Sequence, residues 1–223
     1  MINMNITKDK EAKRDFIRAF HDEAERRIEF LLCLEKEKHR HEALTLCLSY
    51  IDSFAQWLCW PCSKSGENFV RVVANFGGNP LMGLVNPLQA IRSFEVLNGS
   101  WPQISRIIGI VFPGPDYELI LEDSFLSKLK AKLEKKDFDL LKSECWKGIL
   151  AASAYYYLRN PSIHSFGTLE LSFSKTFYRG SLISDIGFSE LYEIVKNIHK
   201  ELRRRSENNL QWFGNDKIVG IGA

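Results

Sequence analysis

In the stretch YYYLRNPSIHSFG, residues 155 to 167, an arginine and a histidine five positions apart flank a proline. Arg159 offers a permanent charge and a planar fork of donors suited to phosphate oxygens. His164 offers a group that accepts or donates a proton near neutral pH. Pro161 disfavours helical geometry at Asn160, so it ends or kinks the helix that carries Arg159 and lets His164 turn back toward it. Together these are the two tasks of metal-independent RNA cleavage: a 2′-hydroxyl is deprotonated to attack its own phosphodiester, and charge gathers on the phosphate. The three tyrosines beside them read as core and interface packing.

A second group of polar residues lies on an otherwise apolar helix. Thr45, Ser49, Asp52 and Gln56 recur at four, three and four residues, which places them on one face. A carboxylate there needs a partner, because an unpaired charge costs several kcal/mol to desolvate. Asp52 either takes hydrogen bonds from neighbouring backbone or a tyrosine, or faces a polar site and orients a cation or an imidazole.

The cysteine pair in CWPC, Cys59 and Cys62, has the spacing of a redox disulfide or of half a zinc site. Its context points instead to an apolar contact at a helix end. The pair follows a buried helix rather than a strand, and His39 and His41 lie at that helix's other end, about 27 Å away at 1.5 Å per residue.

Four helices must position these groups. Ile17, Phe20, Ala24, Ile28 and Leu31 form the buried stripe of a long amphipathic helix from about Lys10 to Lys38. Leu44, Leu48, Ile51, Ala55 and Leu58 mark a central helix from His41 to about Leu58. A third runs from Asp137, as N-cap, through Phe138, Leu141, Cys145, Ile149, Ala152 and Tyr156. The fourth, about Ser189 to Glu207, turns Leu191, Val195, Ile198 and Leu202 inward and ends in a basic run that suits the helix dipole.

Between the second and third helices the chain is less regular. ENFVRVVANFGGNP predicts a short helix stopped by Gly77 and Gly78, Asn86-Pro87 opens another at Leu88, and a further helix covers about Glu118 to Lys135. After His164 the period changes: Leu169, Leu171 and Phe173 alternate, and turn residues with Gly180 follow, predicting a β-hairpin. The expected architecture is mainly α, one domain over residues 1–210 with an irregular helical middle at about 77–135, a small hairpin late in the chain, and a tail at 211–223.

Bulk properties agree with this class. The chain has 223 residues, 45% hydrophobic and 26% charged, too apolar for disorder. No apolar run reaches the roughly 18 residues needed to span a bilayer, and the N-terminus lacks a signal-peptide core. Five cysteines, an odd number, fit a reducing cytoplasm better than a disulfide framework. A net charge of +2 gives no global basic field, so contact with nucleic acid would rest on local patches.

R-N-P-S-I-H at the end of a helix resembles the R-x4-H signature of the HEPN superfamily, the higher eukaryotes and prokaryotes nucleotide-binding domains. The resemblance implies a four- to five-helix bundle, commonly dimeric, and in many members a ribonuclease of toxin–antitoxin, phage-defence or CRISPR-associated systems. It implies Arg159 and His164 as the catalytic pair, Asn160 as the polar residue that positions phosphate or fixes the histidine, and Asp52, with Ser49 behind it, as support from the preceding core helix. Lys175, Arg179 and Arg203, Arg204 and Arg205 are the candidate contacts to RNA phosphates, although a solvated helix face explains the arginine run as well. The expected partners are RNA, a second copy completing a composite site, and an antitoxin or other defence-system protein. Neither cofactor nor metal is expected. The alternative is a non-catalytic HEPN-like module that binds a partner protein or a nucleotide, with Arg159 and His164 as structural hydrogen-bonding residues.

Overall fold

The computed structural model describes residues 2–58, 64–96, 101–114, 117–159, 176–183 and 185–211. Helix α1 (Ile2–Lys36) is the longest, and α2 (Arg40–Trp57) returns beside it after a tight turn in which Lys38 adopts a positive φ of 69°. Next come α3 (Ser65–Phe76), a 3-10 turn (Pro80–Gly83), α4 (Pro87–Val96) and α5 (Pro102–Val111). Strand β1 (Tyr117–Glu118), α6 (Glu122–Lys130) and α7 (Lys135–Glu144) follow. A 3-10 turn (Cys145–Gly148) leads into α8 (Leu150–Ser153) and a π-helical turn (Ala154–Arg159). Strands β2 (Thr176–Tyr178) and β3 (Ser181–Leu182) precede the closing helix α9 (Phe188–Asn209).

The protein is mainly α, with a small sheet near the C-terminal part. Strand β2 pairs antiparallel with β3 around Arg179 and Gly180, whose φ values of 51° and 76° are those of a tight hairpin turn that glycine enters without steric cost. Strand β1 adds to β2 in parallel, in the register Tyr117 with Thr176. Leu169, Leu171 and Phe173, from which alternation predicts the hairpin, lie outside the described residues.

The core forms where α1, α2, α3 and α9 meet. Leu44, Leu48, Ile51, Ala55 and Leu58 of α2 and Leu191, Val195, Ile198 and Leu202 of α9 are all buried, as their spacing predicts. On α1 the pattern is corrected in part. Ile17, Ile28 and Leu31 are buried, but Phe20 and Ala24 are half-buried and line a groove with Tyr50, Phe54 and Trp57, while His21 is sealed in the core.

Two further boundaries differ from the sequence reading. Helix α7 starts at Lys135, with Glu134 rather than Asp137 in the N-cap position. The single helix expected from Asp137 to Tyr156 is broken at Ile149, which is extended at φ −67° and ψ 141° and bridges Val85. The apolar residues of both pieces still point inward, because a four-residue 3-10 turn shifts the chain axis without exposing Cys145, Ile149 or Ala152. The stretch expected as one helix over about Glu118 to Lys135 is likewise strand β1, helix α6 and the start of α7.

Elsewhere the local signals act as expected. Gly77 follows the last residue of α3, and Gly78 takes a positive φ of 81°. Asn86 opens α4 by accepting hydrogen bonds from the backbone of Leu88 at 3.0 Å and Gln89 at 3.3 Å, with Pro87 at the first helical position. Among the described residues, no helix is long and apolar enough to cross a membrane.

Candidate functional site

Arg159 is the last residue of the π-helical turn. Such a turn widens the helix by one residue per repeat and re-aims the side chains at its end, a geometry enriched at functional positions. The guanidinium donates from Nη2 to Oδ2 of Asp52 at 3.0 Å, and its carbon stands 5.3 Å from the centre of the Tyr155 ring, four residues earlier. The Arg159 and Asp52 side chains are 20% and 16% exposed, so the contact lies at the edge of the core, within reach of solvent. The central helix thus supplies a carboxylate to the cation that the sequence placed at the end of the later helix.

Tyr155 anchors this arrangement from below. Its ring packs 5.4 Å from Phe69 of α3, and a Cβ built on Gly66 would stand 2.9 Å from the same ring. Gly66 therefore lets the first turn of α3 close on the tyrosine that backs Arg159. Tyr156 stacks on Trp146 at 6.2 Å, whereas Tyr157 is 42% exposed. Burial pushes the Tyr156 hydroxyl up to about 12, which keeps it protonated at neutral pH.

The other residues of the polar line behave differently. Ser49 donates to the carbonyl of Thr45 at 2.8 Å, a back-bond within its own helix. Thr45 Oγ1 is buried without a hydrogen-bond partner among the described residues, and Gln56 is exposed. Asp52 alone of the four is brought to Arg159 in a described contact.

A second cationic cluster lies on the adjoining segments. Glu144, at the end of α7, pairs with Lys64, just before α3, and with Lys147 at 2.8 Å. Burial raises the Glu144 carboxyl, but the two lysines outweigh it and hold the group below its usual value. Spacing gave no signal for this pairing, since 80 residues separate Lys64 from Glu144.

The candidate RNA contacts are distributed and largely engaged. Arg179 sits in the hairpin turn with its guanidinium over Tyr178 at 5.2 Å, and its backbone N–H donates to Glu118. Arg203 pairs with Asp22 at 2.9 Å, Glu25 at 3.2 Å and Glu207 at 2.9 Å. Arg204 and Arg205 share Glu201, and Arg205 also lies 4.6 Å from the centre of the Phe76 ring. These pairs hold the Glu201 carboxyl down to about 2, first through the Arg204 hydrogen bond, so the arginine run carries its own counter-charge.

His164, Asn160, Lys175, Cys59 and Cys62 lie outside the described residues. Of the other cysteines, Cys47 and Cys145 are buried and Cys33 is exposed. Among the described residues no three His, Cys, Asp or Glu side chains converge as a metal site. The two residues that periodicity missed are His21 and His199, buried opposite each other on α1 and α9. Their one sequence signal is adjacency to core positions: His199 follows Ile198, and His21 falls four residues after Ile17. No family model matches the chain, and neither a curated protein nor a solved structure does.

Proposed function

We propose that the chain is a metal-independent HEPN-type endoribonuclease, a toxin or effector of a bacterial toxin–antitoxin or phage-defence system. The observation that carries the reading is the Arg159–Asp52 contact backed by Tyr155. It fits the support from the preceding core helix that the R-x4-H resemblance implies. A carboxylate on one side and a ring beneath fix the direction of the guanidinium, and an arginine held in advance stabilises developing phosphate charge without reorganising.

In this reading the 2′-hydroxyl attacks the adjacent phosphorus and the P–O5′ bond breaks. The products are a 2′,3′-cyclic phosphate and a 5′-hydroxyl. His164 accepts the proton of the attacking hydroxyl or donates one to the leaving oxygen, Arg159 bears on the non-bridging oxygens, and Asn160 positions phosphate or the histidine. A second copy completes the site, and Lys175, Arg179 and Arg203 to Arg205 contact the RNA backbone.

The test is cleavage of RNA by the purified protein in EDTA, comparing wild type with His164→Ala. Loss of at least about 100-fold in the variant is expected for removal of a general acid or base. Undiminished cleavage by the variant overturns the role of His164.

The same contact supports a second reading, a non-catalytic helical module that binds a partner protein or a nucleotide. Arg159 already has a carboxylate and a ring, as an arginine tying a helix end to the core would. Under that reading Arg159→Lys lowers stability and leaves no cleavage to lose, and a dimer structure shows the two motifs covered or far apart.

A further inference from the structure

We propose that His21 and His199 form an acid-sensitive latch that holds the middle of α1 against α9 and lets it go as the pH falls below neutrality. The two rings meet across 178 residues, with His21 Nδ1 and His199 Nε2 3.1 Å apart, while His21 Nε2 lies 2.6 Å from Ser206 Oγ. His21 and Ser206 are fully buried and His199 is 5% exposed.

The roles of the ring nitrogens depend on the tautomer, and one arrangement with both rings neutral satisfies every contact described. In it the Ser206 hydroxyl donates to the carbonyl of Arg203 at 3.0 Å and accepts from His21 Nε2–H. His21 Nδ1 is then a bare lone pair, which accepts from His199 Nε2–H. Burial favours the neutral form of both rings. A proton added to His21 Nδ1 sets two N–H groups face to face or drives the His199 proton to its other nitrogen, and in both cases it places a charge in a sealed site.

The surroundings make that proton harder to hold while the latch is closed. Asp22 and Glu25 of α1 and Arg203 of α9 face the pair, Glu207 of α9 also pairs with Arg203, and α2 presents the Phe54 ring 5.6 Å from His199. Burial first, then His199 and Arg203, push His21 down to about 3, while burial and Arg203 lower His199 against the opposing pull of Glu25. His199 also lines a groove of about 530 Å³ with Glu25, Glu29, Lys196, Lys200 and Arg203, which gives protons and water a route to the pair.

The position of the latch determines what it releases. Residues 10–16 of α1 are exposed, Ile17 and His21 are the first fully buried side chains of the helix among the described residues, and Ile28 is the next. In the opened state both imidazoles return to an ordinary value near 6.5, so the open form binds more protons than the closed form and gains population as pH falls through 6.5. Between pH 7.5 and pH 5, His21 alone multiplies the opening constant about 30-fold, and His199 adds to it.

The test is amide hydrogen exchange of the full chain at pH 7.5 and pH 5, corrected for the intrinsic rate, with ¹⁵N NMR of the imidazoles in the same samples. An increase of about 30-fold or more for amides around His21, with α3 and α4 unchanged, is expected, together with a neutral, Nε2-protonated His21 in the closed state. A folded His21→Phe/His199→Phe variant would lose this acid dependence. Exchange around His21 that stays constant to pH 5, or a His21 that titrates near 6.5 while α1 stays closed, overturns the latch. The wild-type measurements decide the matter if the double variant does not fold.

Discussion

Arg159 meets Asp52 across 107 residues in a contact that leaves 20% and 16% of the two side chains in solvent, whereas His21 meets His199 across 178 residues with at most 5% exposed. Both contacts border α2, through Asp52 in one case and through Phe54 in the other. The first joins two full charges at the edge of the core, where water still screens them and an incoming phosphate can compete for the arginine. The second joins two imidazoles inside the core, where hydrogen bonds and ring contacts satisfy them and burial disfavours an added charge. Charge at the edge suits a site that exchanges partners. Neutrality in the interior suits a contact that responds only to protons.

Each variant below separates or merges these two regions. The largest effect is expected from Arg159→Ala, which under the ribonuclease reading lowers the cleavage rate in EDTA by at least about 100-fold while the protein remains folded by circular dichroism. A variant that cleaves like wild type would reduce the Arg159–Asp52 contact to a structural tie. Next is His21→Ala, which leaves a cavity and strands the His199 donor. It should cost about 2–4 kcal/mol in denaturant unfolding at pH 7.5, and less at pH 5 because the penalty for keeping His21 neutral is gone. A cost that does not change with pH would contradict the neutral, sealed pair.

Asp52→Asn tests the edge contact with shape preserved. It should cost about 1–3 kcal/mol, below the range for a fully buried pair because solvent reaches both groups, and a double-mutant cycle with Arg159→Met should return most of that as coupling. Zero coupling would mean that Tyr155 and solvent, rather than Asp52, hold the arginine. The smallest effect belongs to Arg204→Ala. Arg204 is 60% exposed, and Glu201 keeps Arg205 as its partner, so the thermal midpoint should be unchanged. A clear loss there would mean that the arginine run contributes to the core rather than to a solvated face.

Much of the scaffold was legible because helical periodicity records burial directly. The stripes on α2 and α9 follow from spacing alone, and Gly77, Asn86 and Gly180 mark a stop, a start and a turn through their backbone preferences. The break at Ile149 was not legible. Its apolar spacing satisfies a continuous helix equally well, and the bridge to Val85 that extends it comes from 64 residues away. Of the candidate site, the need of Asp52 for a partner followed from the cost of burying a carboxylate alone, but spacing left backbone, a tyrosine, a cation and an imidazole all open as that partner, and the fold selects Arg159.

His21 shows the limit of periodicity. Phe20 and His21 fall three and four residues after Ile17, so both suit the buried face, and the structure half-exposes the phenylalanine and seals the histidine. The sequence by itself determined a mainly helical chain, its principal buried faces and a cation near a helix end, since these depend on local spacing and backbone chemistry. Only the tertiary structure decided that Arg159 meets Asp52 and that His21 meets His199, because a polar group's partner depends on which distant helix packs beside it.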